Sequence, residues 1–194
     1  VVDKKENIIL KIGDNENQNF WFRSAAKPLQ ASIIINSGAY EKFGFTQEEL
    51  AVCCSSHTGT DQHTQTVQSV LKKIGLEEKD LQCGIHEPID IETRNSLIRK
   101  NLTPTQLYNN CSGKHAGMLA SCVANNWDIK NYLEFDHPLQ KNITKNIAKF
   151  CNFDENKINI GRDGCSAPVH ALPFSKLGIG VLNLFLNKDY EKIK

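Results

Sequence analysis

The chain has 194 residues, with 23 Lys plus Arg against 22 Asp plus Glu, a formal net charge of +1. That length predicts one domain with a real hydrophobic core, and a near-neutral chain without a basic run is a poor partner for nucleic acid. Hydrophobic residues make up 40%, usual for a soluble globular protein, and the longest apolar stretch, residues 177–186, is broken by Gly178, Gly180 and Asn183 and is too short to span a bilayer.

In chain order, residues 8–12 read as a strand and residues 14–17 as a turn. Phe20, Trp21 and Phe22 form a second short strand. Ser24 opens a helical run with apolar residues at Leu29, Ile33 and Ile34 that ends near Gly38. Pro28 falls in its first turn, where a missing N–H costs least. Residues 46–53 form a helix, with Thr46 and Glu49 spaced as a capping box. A polar loop over residues 55–60 leads into an amphipathic helix, residues 61–74, closed by Gly75. Further helices are expected over residues 93–100, over 113–125 with Met118, Leu119 and Cys122 on one face, and over 136–150 with Asp136 as cap. Residues 158–161 read as a strand, Ala167-Pro168-Val169 as an extended exit, and residues 177–188 as a helix or a buried strand. The sum is an α/β (α+β) chain, richer in helix.

The seven cysteines are odd in number and contain no CxxC pair, so neither a disulfide framework nor a zinc ribbon is indicated. The first residues carry no signal-peptide h-region, and the thiols are expected reduced, in the cytoplasm. Both ends read as trimmed: Val1 stands where an initiator Met is usual, and residues 189–194 stop inside a helical pattern.

Three blocks carry chemistry. Ser24 and Lys27 are three residues apart, so on a helix they share a face, and a neutral amine there can take the serine's proton. Lysine is almost fully protonated at neutral pH with a pKa of ~10.4, so burial or a neighbouring charge must lower it first. Arg23 beside them is suited to a carboxylate. The loop from Cys54 through Ser55, Ser56 and His57 to Gly59 has the polarity of a functional loop, although either serine can equally serve as a helix cap, and Cys53 and Cys54 read as core thiols. In the third block, Cys111 and Lys114 again lie three apart. With Cys165 they form two thiols and an amine suited to zinc; His115 in place of Lys114 makes the alternative set. Lowering a lysine pKa to about 7 costs roughly 4.6 kcal/mol, which a structural zinc site, at about 10–16 kcal/mol, can supply. Asp163, beside Gly164, is suited to an amine or simply to a turn.

The segments Arg23-Ser24-Ala25-Ala26-Lys27-Pro28-Leu29-Gln30, Ser56-His57-Thr58-Gly59, Cys83-Gly84-Ile85-His86, Asn109 through Ala120, and Asp163-Gly164-Cys165-Ser166-Ala167-Pro168 together resemble the Rhizobium etli type L-asparaginase II family. The resemblance runs in order from about Asn19 to Leu177, and the block CSGKHAGML is its most specific part. It implies hydrolysis of L-asparagine to L-aspartate and ammonia in a single domain like the serine β-lactamases and glutaminases. It assigns Ser24, Lys27 and Ser56 as catalytic, His115 and Asp163 as lining the substrate pocket, where Arg23 is expected to bind substrate as well, and Cys111, Lys114 and Cys165 as ligands of a zinc ion. It also implies a homodimer. A glutaminase of the same fold, or a non-catalytic zinc-binding piece, is the alternative. Thr60 stands where many members carry glutamate, and the family's C-terminal Lys-x-Gly-Ala-Glu-Gly-like block is not in these residues, so low activity of this chain by itself is the expectation. The Ser-x-Asn and Lys-Thr-Gly blocks of the penicillin-directed enzymes are absent from the sequence as well.

Overall fold

A computed structural model describes residues 1–13 and 18–193. Strand β1, Asn19–Trp21, runs into a 3-10 turn, Arg23–Ala26, and without a break into helix α1, Lys27–Asn36, with Pro28 in its first turn. Gly38, at φ 72°, turns the chain into the single turn α2, Ala39–Lys42. The Thr46–Glu49 capping box opens α3, Gln47–Cys54, as its spacing predicts. After the polar loop, Thr60 rather than either serine caps α4, Asp61–Lys73, and His63 returns the bond to the Thr60 backbone. Helix α5, Ile91–Arg99, is capped by Asp90. Helices α6, Ser112–Ala124, and α7, Pro138–Phe150, follow. Strands β2, Asn159–Arg162, and β3, Pro168–Pro173, then lead into α8, Phe174–Leu186.

The three strands form one antiparallel sheet in the order β1-β3-β2, with Phe20 opposite Leu172 and Ile160 opposite His170. This confirms the mixed α/β class. A sheet of three short strands does not by itself establish the larger β-lactamase topology.

Helix α6 is the axis of the core. Every residue from Ser112 to Cys122 is buried, so its apolar surface runs right round the helix rather than along the one face expected for Met118, Leu119 and Cys122. Two glycines permit this packing. A Cβ on Gly113 would lie 2.2 Å from the Val52 carbonyl oxygen in α3, and one on Gly117 would lie 2.6 Å from Cδ1 of Ile34 in α1. Behind them Leu29, Ile33 and Ile34 of α1 meet Leu139, Ile143 and Ile147 of α7 in the same core, each such side chain contributing about 1.5–3 kcal/mol by burial. Glu49 ties α3 to α4: it accepts from Thr46 N, Ser69 Oγ and Lys73 Nζ, each at 2.7 Å. Burial acts to raise its pKa, but these bonds outweigh it and hold the carboxyl below its ordinary value.

Some expectations fail for clear reasons. Residues 8–12 do not form a strand; Ile8 makes one isolated bridge to Val2, and Ile9 and Ile12 are 64% and 82% exposed. An apolar run needs a neighbouring strand to pair with, and here the sheet closes on β1, β3 and β2 without it. The predicted turn at residues 14–17 lies outside the described residues. His137, not Asp136, caps α7: its Nδ1 accepts from Leu139 N at 3.1 Å, and its Nε2 donates to Asp128 O at 2.9 Å. Where residues 189–194 read as the start of a helix, Lys188–Ile193 forms a separate 3-10 segment.

Candidate active site

Lys27 is the first residue of α1 and is 1% exposed. Its Nζ reaches Ser56 Oγ at 2.6 Å, Ser55 O at 2.8 Å and Asn110 O at 3.1 Å. Two of these partners are carbonyls and can only accept. A neutral Lys27 therefore places its two protons on Ser55 O and Asn110 O and aims its lone pair at the Ser56 hydroxyl. Burial pushes the Lys27 pKa below the ordinary lysine value; the Cys111 sulfur opposes this and the positive charge of Lys114 assists it. Ser24 and Ser56 are both exposed. Ser24 makes no side-chain hydrogen bond among the described residues, so the bonded partner of Lys27 is Ser56, not the serine that its i, i+3 spacing suggested. Arg23, just before Ser24, takes a left-handed backbone, φ 49°.

Side chains without an assigned role hold the Ser56 loop and the start of α6 together. Gly59 N donates to Nδ1 of His57 at 3.2 Å, which leaves the proton on Nε2 to reach Ser112 Oγ at 2.8 Å; Ser112 in turn donates to Leu107 O at 2.9 Å. Burial, then the charges of His63, Lys27 and His86, lower the His57 pKa to about 4. His86 Nε2 accepts from Asn110 N at 3.0 Å and so fixes the carbonyl that Lys27 uses. Asn109 Oδ1 accepts from Cys111 N at 2.8 Å, and its amide donates to Cys83 O at 2.9 Å. His57, His86 and Asn109 lie within the segments that carry the family resemblance, and this was the signal available for them. Tyr132, fully buried and 2.7 Å from His115 Nδ1, has no motif around it.

Arg23 and Asp163 meet directly, Nη2 to Oδ1 at 2.9 Å, with the guanidinium 65% exposed and the carboxylate 11%. Asp163 also accepts from Gly164 N at 2.8 Å in the turn between β2 and β3. His115 is wholly buried on α6, and its Nε2 makes no hydrogen bond.

Cys111, Lys114 and Cys165 do come together. Lys114 Nζ donates to Cys165 Sγ at 3.1 Å, and the Cys111 thiol interacts electrostatically with the same sulfur. That thiol, then His115 and Lys114, hold the Cys165 pKa well below the ordinary thiol value, while Cys165 and burial raise that of Cys111. The zinc expectation is nevertheless corrected. Among the described residues no group of three or more His, Cys, Asp or Glu could hold a metal ion. Lys114 approaches Cys165 as a hydrogen-bond donor, Nζ to Sγ.

A buried amine bonded to an exposed hydroxyl can take that hydroxyl's proton once the amine is neutral. The family model for L-asparaginase II matches residues 1–193, and the chain belongs to that family. It is accordingly an amidohydrolase acting on a small molecule. No curated protein matches the chain. Among the described residues no helix is long and apolar enough to cross a membrane.

Proposed function

We propose that this site hydrolyses the side-chain amide of L-asparagine to L-aspartate and ammonia by serine–lysine acyl transfer. The observation that carries this is the 2.6 Å bond between Lys27 Nζ and Ser56 Oγ, with the remaining amine protons absorbed by carbonyls. Ser24 attacks the amide carbon, its proton passes to Lys27 by way of Ser56, and the same path returns a proton to the departing ammonia. Water then hydrolyses the acyl-serine. The Arg23–Asp163 pair provides a place for a free amino acid: with its guanidinium largely in solvent, a zwitterion can replace it, its α-carboxylate on Arg23 and its α-ammonium on Asp163. His115 is wholly buried on α6 and would support the site from within rather than touch the substrate. A cytoplasmic location, a homodimer and a β-lactamase-like whole belong to the same proposal.

The short Lys27–Ser56 contact favours a second assignment, in which Ser56 itself attacks. Ammonia release from L-asparagine and L-glutamine, compared between the wild type and Ser24→Ala and Ser56→Ala, tests the reading; ratios suffice, so slow turnover serves. Loss in both variants supports it, and unchanged rates in both end it. Mass mapping of the acylated peptide in acid-quenched reactions tells Ser24 from Ser56.

A further inference from the structure

The block Cys83-Gly84-Ile85-His86 carries part of the family resemblance, yet the reaction above gives it no work. It opens a strap without regular structure, residues 83–90, that ends at the start of α5. The strap grips the chain on both sides of Lys27. On one side, Asp90 N donates to Thr58 O at 2.9 Å, in the loop that carries Ser56. Pro88 also closes on Gly59, where a Cβ would lie 3.3 Å from the proline Cα. On the other side, Gly84 turns at φ 77°, and Cys83 O and Gly84 O accept from Asn109 Nδ2 at 2.9 and 3.2 Å. His86 donates from Nδ1 to Glu87 O at 2.7 Å, because a carbonyl can only accept. Its Nε2 is then bare and accepts from Asn110 N at 3.0 Å; Asn110 Oδ1, itself an acceptor, stays at 3.3 Å.

These bonds pin the peptide planes on either side of Asn110. His86 holds the plane before it, through Asn110 N. Asn109, 5% exposed, holds the plane after it: its Oδ1 accepts from Cys111 N at 2.8 Å. In a trans peptide the N–H and the C=O point opposite ways. A Cys111 N–H held by Asn109 therefore turns the Asn110 carbonyl the other way, where Lys27 Nζ meets it at 3.1 Å. The other carbonyl on Lys27, Ser55 O, is set by the end of α3, where Ser55 N and Oγ both reach Val52 O. With both acceptors fixed, the remaining direction of a neutral amine, its lone pair, falls on Ser56 Oγ. We propose that Asn109 and His86 are positioning residues that aim Lys27 at Ser56 through the Asn110 backbone, and so govern turnover rather than substrate binding. The effect on turnover rests on the serine–lysine reading given above; the chain of bonds does not.

The test compares His86→Leu, which removes the acceptor, with His86→Gln, whose Oε1 restores one to Asn110 N. Asn109→Ala removes the second clamp, and circular dichroism confirms that each variant is folded. In ammonia release from L-asparagine and L-glutamine, kcat should fall about tenfold or more in His86→Leu, with KM within about twofold of the wild type. His86→Gln should return kcat to within about threefold of the wild type, and a folded Asn109→Ala should fall at least as far as His86→Leu. Full kcat in folded His86→Leu, equal losses in the leucine and glutamine variants, or a loss carried by KM alone overturns the assignment. NMR reads the same chain without turnover. The wild type should show nitrogen–nitrogen coupling across the hydrogen bond from Asn110 N to His86 Nε2. The Lys27 Cε signal, identified by its loss in Lys27→Arg, should move in His86→Leu and return in His86→Gln. Wild-type protein that releases no ammonia from either amide defeats the proposed function, and the two NMR signatures then decide the positioning chain: no coupling, or an unmoved Lys27 signal, overturns it.

Discussion

Acid should unfold this protein through two histidines. His57 and His170 are 3% and 0% exposed, and burial first, then neighbouring positive charges, bring each from the ordinary 6.5 down to about 4. For His57 those charges are His63, Lys27 and His86; for His170 it is Lys114. The folded chain therefore holds both rings neutral while the unfolded chain takes up protons below about pH 6.5. The stability each ring confers is complete above the unfolded pKa and drains as pH falls toward the folded one. The geometry agrees: a proton on Nδ1 of His57 would confront Gly59 N–H, and Nδ1 of His170 has no partner among the described residues. At 1.36 kcal/mol per unit, the loss by about pH 4.5 is roughly 2.5 kcal/mol per ring and about 5 kcal/mol for both, a large share of a typical 5–15 kcal/mol. Urea unfolding between about pH 7 and pH 4.5 measures it. His57→Gln and His170→Gln retain an N–H toward Ser112 and Thr144, and each should remove about 2.5 kcal/mol of the pH-dependent loss, to which buried His115, its pKa also lowered by burial, adds its own share. Glu49, with its lowered carboxyl, loses its contribution only as pH falls through a value below the ordinary carboxylate range, so it barely enters this window. A wild-type loss under about 2 kcal/mol, or variants that keep the full loss, would refute the reasoning.

Two further perturbations are equally direct. Gly113→Ala sets a Cβ 2.2 Å from a backbone oxygen of Val52, which cannot rotate away, so α6 must lift from α3; a loss of about 1–3 kcal/mol and a melting temperature lower by roughly 2–10 °C are expected by calorimetry, whereas Gly164→Ala, with open space around it, should leave the melting temperature nearly unchanged. Arg23→Ala, which removes one half of the ion pair with Asp163, should raise KM for asparagine about tenfold or more while kcat falls less; steady-state kinetics read the split, and an unchanged KM would remove Arg23 from the substrate pocket.

Local rules made several elements legible. Thr46 with Glu49, and Gly75 after an amphipathic run, announce α3 and α4 because capping and left-handed turns depend on neighbours in sequence. The cap of α7 slipped by one residue because His137, immediately before Pro138, offers an acceptor nitrogen just as Asp136 would an oxygen. The Lys27–Ser56 bond was not legible: the residues are 29 apart, and i, i+3 spacing pointed to Ser24 instead. Lys114 meets Cys165 across 51 residues of chain, a contact that no local rule announces. Their spacing could not reveal that the lysine would arrive as a donor to sulfur. Residues 8–12 show the limit of apolar pattern, which marks a strand only where a partner exists.

The central claim is that Lys27 acts as a neutral base on the serine it touches. Lys27→Arg tests it most directly, because arginine keeps the charge and the donors but does not deprotonate in proteins. The account predicts that ammonia release from L-asparagine falls by about a hundredfold or more in a variant whose folding, checked by circular dichroism, is retained. A folded Lys27→Arg protein that works within a few-fold of the wild type would contradict it.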